Sequence, residues 1–148
     1  MQLVAYHQAL DPDFICLWTD AENAFDENWA RKLGIDLDRV LLQKYTPEIN
    51  SMERLLDTSL NIIKKIPINL WIMDSIGALL PKNDAYETKG TKLQDKSLEG
   101  TNMLNLQRKL GEFYRKANIF ISPRPEENHK GTACIMIGQI DNTLSLAA

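Results

Sequence analysis

The sequence predicts an α/β domain whose sheet is mainly parallel and covered on both faces by helices. Two observations point to it. Compact apolar runs alternate several times with stretches in which apolar residues recur at three- and four-residue spacing, the pattern of strands exchanging with amphipathic helices. The first run, residues 14–19, is apolar up to Thr19 instead of alternating with polar residues, as a strand buried on both faces must be. Length and composition fit one such domain. At 148 residues there is room for a single core, and 44% hydrophobic with 25% charged side chains excludes a disordered, collagen-like or coiled-coil chain.

Residues 2–10 come first as a short helix, with Leu3, Tyr6, His7 and Leu10 at helical spacing and Asp11-Pro12 as its stop. Residues 14–19 make the first strand. Asp26 can then cap a short helix whose first turn carries Glu27, where a carboxylate suits the positive end of the helix dipole, and Gly34 ends it. Residues 39–43 are a second strand. Asn50 or Ser51 opens a longer helix with Met52, Leu55, Leu56, Ser59, Ile63 and Ile66 on one face, closed by Pro67. Residues 68–73 give a third strand that runs directly into Asp74. Residues 81–100 have no sustained period and are rich in Lys, Asp, Thr and Gly. They read as a long loop, and a loop of that length in a compact domain is usually functional or disordered. From Thr101 a helix follows with Met103, Leu106, Leu110, Phe113, Ala117 and Phe120 on its core face and Arg108, Lys109, Glu112, Arg115 and Lys116 toward water. A turn-rich stretch, 122–131, leads to a fourth strand over 132–138, ending in Gln139.

Charge and cysteine content narrow the function classes. A net charge of −3 leaves no global electrostatic footprint for nucleic acid, so any such surface is local. One candidate exists: between Lys82 and Lys116 eight basic side chains meet five acidic ones, which makes that segment +3 and the remainder −6. No apolar run approaches the roughly 20 residues of a membrane span, and the N-terminus has none of the marks of a signal peptide. Two cysteines are too few for a disulfide framework, so Cys16 and Cys134 read as free thiols in core strands and the cytoplasm is the default compartment. His7 and His129, remote from any cluster with zinc-ligand spacing, read as ordinary surface or helix histidines.

In open parallel sheets, ligands sit beyond the carboxyl ends of the strands. Glu22 follows the first strand, Asp74 ends the third and Gln139 ends the fourth, so all three should emerge on one rim. An apolar strand ending in Asp, here Leu-Trp-Ile-Met-Asp-Ser over 70–75, is also the Walker B pattern of P-loop NTPases, in which the carboxylate holds Mg²⁺ through water. By itself that pattern is weak, since many buried strands end in an Asp that starts a turn.

A longer pattern is more specific. Thr-Asp-Ala-Glu-Asn-Ala-Phe-Asp over 19–26, followed by Leu-Gly-Ile-Asp over 33–36, resembles the RecA family of homologous recombinases. So do Met-Asp-Ser-Ile-Gly-Ala-Leu over 73–79, Pro81-Lys82, and Ile-Gly-Gln-Ile over 137–140, at roughly the right separations. The resemblance covers nearly the whole chain, and the divergent loop at 81–100 with the extra turn at 123–130 suggests a distant, phage-type member. It implies a RecA-like P-loop NTPase core that binds ATP and Mg²⁺, assembles into filaments on single-stranded DNA and pairs it with a homologous duplex. By the same resemblance, Glu22 polarises the water that attacks the γ-phosphate, a task for a carboxylate because that water needs orientation and a proton acceptor. Asp74 holds the metal shell, with Ser75 beside it on the nucleotide. Gln139 senses the γ-phosphate, and Asp26 and Trp29 lie near the adenine. Trp29 stands where the family usually has a tyrosine; an indole can stack on a base but lacks the phenolic hydroxyl. Residues 81–100 correspond to the first DNA-binding loop, and Lys82, Lys89, Lys92 and Lys96 are its candidates for phosphate neutralisation, although a plain solvated loop explains the lysines equally well.

Two departures qualify the resemblance. No G-x-x-x-x-G-K-[ST] sequence occurs, so the P-loop that cradles the phosphates is absent, and little sequence follows Gln139 where a second DNA-binding loop should be. The chain therefore reads as a partial ATPase core over residues 1–148, hydrolysing ATP negligibly by itself. Because the family's P-loop strand is central to its sheet, two interior strand edges are expected to lack a partner. Two functions stay open: the central piece of a DNA-dependent ATPase, active once paired with a P-loop-bearing fragment, or a non-catalytic fragment that interacts with a complete recombinase filament.

Overall fold

The computed structural model of the protein describes residues 1–44, 46, 49, 51–76, 98–127 and 129–138. The α/β expectation holds. Its elements are α1 (Gln2–Leu10), β1 (Cys16–Asp20), α2 (Glu27–Lys32), β2 (Val40–Lys44), α3 (Met52–Lys65), β3 (Leu70–Asp74), α4 (Leu98–Ile121) and β4 (Ala133–Met136), with short 3₁₀ turns at Leu37–Arg39 and Pro125–Glu127. The strands form one sheet in the order β2-β1-β3-β4, and every neighbouring pair is parallel. That order corrects one expectation. The four strands are consecutive neighbours, so no interior edge lacks a partner; what lies open among the described residues is the outer edge of β2 and the outer edge of β4.

Alternate residues of the strands feed two cores, as the pleat requires. Leu17, Trp71 and Met73 pack with Met52, Leu55, Leu56 and Ile63 of α3 and with Phe113 and Ala117 of α4. On the other face Cys16, Trp18, Leu70 and Ile72 pack with Val4 of α1 and Ala30 of α2. Helix α3 begins where Ser51 accepts the N–H of Arg54 at 3.4 Å, and Glu53 sits in its first turn. Replacing this buried N-cap, Ser51→Ala, is expected to lower stability by about 1 kcal/mol, measured by urea denaturation. Gly34 follows the end of α2 with φ +86°, the left-handed position that a helix C-terminus reserves for glycine.

Two local features differ from expectation. Helix α4 starts at Leu98, so the last three residues of the predicted 81–100 loop are helical; one glycine, Gly100, costs only about 1 kcal/mol within a helix and does not stop it. His129 is not a surface residue. It is buried, its Nδ1 accepts the Gly131 N–H at 3.1 Å, and its backbone pairs with Arg124, whose guanidinium in turn donates to the Phe120 carbonyl at the end of α4. His7, on α1, stacks on Phe14 with centroids 5.2 Å apart. Cys16 and Cys134 are free thiols in strands, and burial pushes them up to about 12 and about 11, so neither is a nucleophile near neutral pH.

Candidate functional site

Three acidic residues meet at the C-terminal rim of the sheet. β1 ends in Asp20 and β3 in Asp74, and the two are register partners on adjacent strands. Asp20 is only 2% exposed. Its carboxylate turns back on its own chain and accepts the N–H groups of Ala24 at 3.0 Å and Phe25 at 2.9 Å. The Ala21 N–H meanwhile donates to the Asp74 carbonyl at 2.7 Å, and Asn23 adopts a left-handed φ of 55°, which asparagine tolerates better than most residues. These constraints fold residues 21–25 into an anchored turn that presents Glu22 at the surface. Ser75, 1% exposed, donates from its hydroxyl to Glu22 Oε1 at 2.6 Å. That hydrogen bond joins the tip of β1 to the tip of β3.

The rim is electrostatically tense. Asp74 has its pKa raised above the usual carboxylate value, first by burial and then by the negative charges of Glu22 and Asp20, with the N-terminal ammonium opposing. In the folded chain the acid form is therefore favoured relative to the unfolded chain. Stability from this group is complete below the ordinary Asp value and is lost as pH rises through the raised one. Asp74→Asn should thus stabilise the fold at neutral pH, and the gain should vanish in acid; thermal melts at neutral and acid pH check both.

The structure brings Glu22, Asp74 and Ser75 together, as their positions in the sequence predict. Asp26 is the N-cap of α2, accepting the Trp29 N–H at 3.0 Å, and Trp29 stands 53% exposed in the first turn of that helix, its indole open to solvent. Gln139 lies outside the described residues, as do Lys82, Lys89, Lys92 and Lys96. The chain does reach the same rim two residues before Gln139: the Ile137 N–H donates to the Met73 carbonyl at 3.0 Å, and the Ile137 carbonyl accepts from Ile76 at 2.8 Å. Asp20 is the residue that sequence reading misses. Its signal is an aspartate at a strand end followed by a short polar turn, the setting in which Asp side chains cap their own backbone.

A family model described as the RecA N-terminal domain matches residues 1–126. The chain belongs to the RecA family. Among the curated relatives, Protein RecA of Chloroherpeton thalassium is 31% identical over 125 residues, covering 82% of this chain and 33% of its own length. Protein RecA of Rhizobium rhizogenes is 31% identical over 107 residues, 72% of this chain and 28% of its own. That of Ruegeria pomeroyi is 36% identical over 70 residues, 47% and 19% respectively. The chain thus spans a third or less of the length of these RecA relatives. No described helix is long and apolar enough to cross a membrane.

Among the described residues no group of three or more His, Cys, Asp or Glu side chains is arranged to hold a metal ion. A magnesium ion nonetheless suits this rim, because Mg²⁺ keeps most of its waters and needs only one or two carboxylates. Asp74, whose charged form is disfavoured by burial and two acidic neighbours, gains from a cation beside it. The acids by themselves present negative charge to a polyanion, so a nucleotide at this rim calls for a cation between them.

Proposed function

We propose that this RecA-family chain supplies the acidic half of an ATPase site in homologous recombination and DNA repair, completed by a P-loop-bearing fragment and by Mg²⁺. The observation that carries the proposal is the 2.6 Å hydrogen bond from Ser75 to Glu22, which fixes an exposed carboxylate beside the Asp74 tip on the rim where parallel sheets bind ligands. The metal, when bound, neutralises phosphate charge. Asp74 holds its water shell with Ser75 beside it on the nucleotide, and Glu22 orients the attacking water and accepts its proton. Gln139, just past the point where β4 reaches the rim, reports the γ-phosphate to the DNA-binding segment. Asp26 and Trp29 flank the base. Such a site belongs to a filament on single-stranded DNA that pairs with a homologous duplex, and Lys82, Lys89, Lys92 and Lys96 neutralise phosphates of its backbone.

The test mixes the chain with a P-loop-bearing fragment and follows phosphate release with and without single-stranded DNA. Stimulated release is expected from the mixture, negligible release from the chain alone, and a loss of about 10²- to 10⁴-fold on Glu22→Gln. Release that is indifferent to Glu22→Gln would refute the assignment. If the mixture binds a complete recombinase filament without turnover, the chain is instead a non-catalytic filament partner, the reading favoured by its three clustered acids when no cation accompanies the nucleotide. For the lysines, a combined Lys82→Ala, Lys89→Ala, Lys92→Ala and Lys96→Ala variant should flatten the dependence of single-strand affinity on salt. The log–log slope should shrink by about 0.7 for each phosphate no longer neutralised. An unchanged slope removes the DNA assignment of that loop.

A further inference from the structure

The connection from α4 to β4 is longer than joining them requires. Such links in α/β domains usually take about two to six residues, whereas here α4 ends at Ile121 and β4 starts at Ala133. The extra length is firmly held. Arg124 and His129 exchange backbone hydrogen bonds at 2.8 and 3.0 Å, and Thr132 donates from Oγ1 to the Ile68 carbonyl at 2.7 Å. Gly131 has a φ of +97°, and a Cβ there would meet the Pro123 side chain at 3.2 Å. With His129, Lys130 and Gly131 this turn walls a cavity of about 510 Å³ at the N-terminal end of the sheet. Asp11 and Asp13, ahead of β1, line its other side, and Ile15, Pro67 and Ile68 line it as well. The length of the strands, about 16 Å, separates this cavity from the acidic rim.

The charges that remain free in the cavity are sorted by side. Arg39 is committed to the fold: its Nε donates to Asp36 at 2.8 Å, and its Nη1 to the carbonyls of Asp11 and Pro12 at 3.0 Å each. Asn69 accepts the Ile15 N–H on Oδ1 at 2.8 Å, and its NH₂ group has no partner among the described residues. Neither Asp13 nor Lys130 has an ion pair among them. Asp13 stands three residues before β1 and Lys130 three before β4. With β3 lying between those strands, the two starts are about 10 Å apart. We propose that this cavity binds a short extended peptide, with a cationic group against Asp11 and Asp13 and an anionic group against Lys130 and the Asn69 amide. About 10 Å is the reach of three extended residues. The middle residue is apolar, because Ile15, Pro67 and Ile68 are what it meets. A simple anion such as phosphate is disfavoured by the two aspartates, and a simple cation by Lys130. The charged ends of a free peptide and the side chains of a protein segment both supply the required pair. The proposal does not depend on the nucleotide site.

Titrating the full chain, labelled with nitrogen-15, with small peptides tests this by NMR. Acetyl-Lys-Leu-Glu-amide stands for a protein segment, free Gly-Leu-Gly for a peptide with its own charged ends, and acetyl-Gly-Leu-Gly-amide for an uncharged control. Amide signals of Ile15, Asn69 and Gly131 should move, and a peptide with both charges should bind about tenfold tighter than the control. Whichever doubly charged peptide binds better identifies the source. Asp13→Asn and Lys130→Gln, both at exposed positions, should each weaken that binding about threefold or more. Acetyl-Lys-Leu-Gly-amide, which lacks the acid, should respond to Asp13→Asn and ignore Lys130→Gln, a difference that general damage to the fold would not produce. Equal affinity for charged and uncharged peptides overturns the proposal, as does a response to only one of the two substitutions by the doubly charged peptide. Signals that move only around Glu22, or no movement with any probe at about 10 mM, overturn it too.

Discussion

Trp71→Ala should abolish cooperative folding. The side chain is fully buried at the centre of the sheet, pairs in register with Leu17 on one side and Cys134 on the other, and meets Phe113 of α4 edge to face at 5.6 Å. Truncating a core tryptophan costs about 3–5 kcal/mol, a large part of the roughly 5–15 kcal/mol that holds a domain folded. The indole also has a polar task, donating from Nε1 to Thr19 Oγ1 at 2.9 Å. Thr19 in turn bonds Gln43, and Gln43 accepts from Ser59 at 2.6 Å and donates to the Leu55 carbonyl at 3.1 Å, so one buried network ties β1, β2, β3 and α3. Trp71→Phe is the control. It keeps most of the packing and removes one hydrogen bond, about 1 kcal/mol, and should still unfold in a single transition by circular dichroism and tryptophan fluorescence.

The second large effect belongs to Asp20→Ala. Two N–H groups, those of Ala24 and Phe25, are deprived of a charged acceptor, and bonds to charged groups are worth about 1.5–3 kcal/mol each, so the expected destabilisation is about 3 kcal/mol. The change is also positional: with its anchor gone, the turn no longer fixes Glu22. Amide exchange at Ala24 and Phe25 should accelerate. In the reconstituted mixture phosphate release should fall as it does for Glu22→Gln, although Glu22 itself is untouched. A variant that is destabilised yet turns over normally would show that the turn has no part in the site.

Much of the fold is legible in the sequence because burial period and helix caps are local properties. The stripe of α3 and its Ser51 cap, the Asp26 cap of α2 and the core positions Phe113 and Ala117 of α4 all follow from spacing within one element. Strand ends are less legible, because burial is not pairing. Phe14 and Ile68 are buried but precede their strands; there Ile15 and Asn69 bond to each other through the Asn69 side chain and backbone, outside the regular ladder. Gln43 and Thr19 are polar residues in strands, and nothing in a linear pattern shows that they satisfy each other in the core. The site is readable as far as the rim: Glu22 and Asp74 each follow a strand, and parallel order sends both tips the same way. The order of the strands is not readable, since it depends on which neighbours each sheet face can cover. That is why sequence reasoning places two open edges inside the sheet, whereas among the described residues the open edges are the outer ones of β2 and β4.

The central claim is that the tips of β1 and β3 form one acidic site in which Glu22 and Asp74 feel each other's charge. A carbon-13 carboxyl titration of Asp74 by NMR, in the native chain and in Glu22→Gln, reads that directly. Asp74 should titrate above the ordinary aspartate value in the native chain and move down when the Glu22 charge is removed. An Asp74 that titrates at the ordinary value in both proteins would contradict the account, because the two carboxylates would then not share a site.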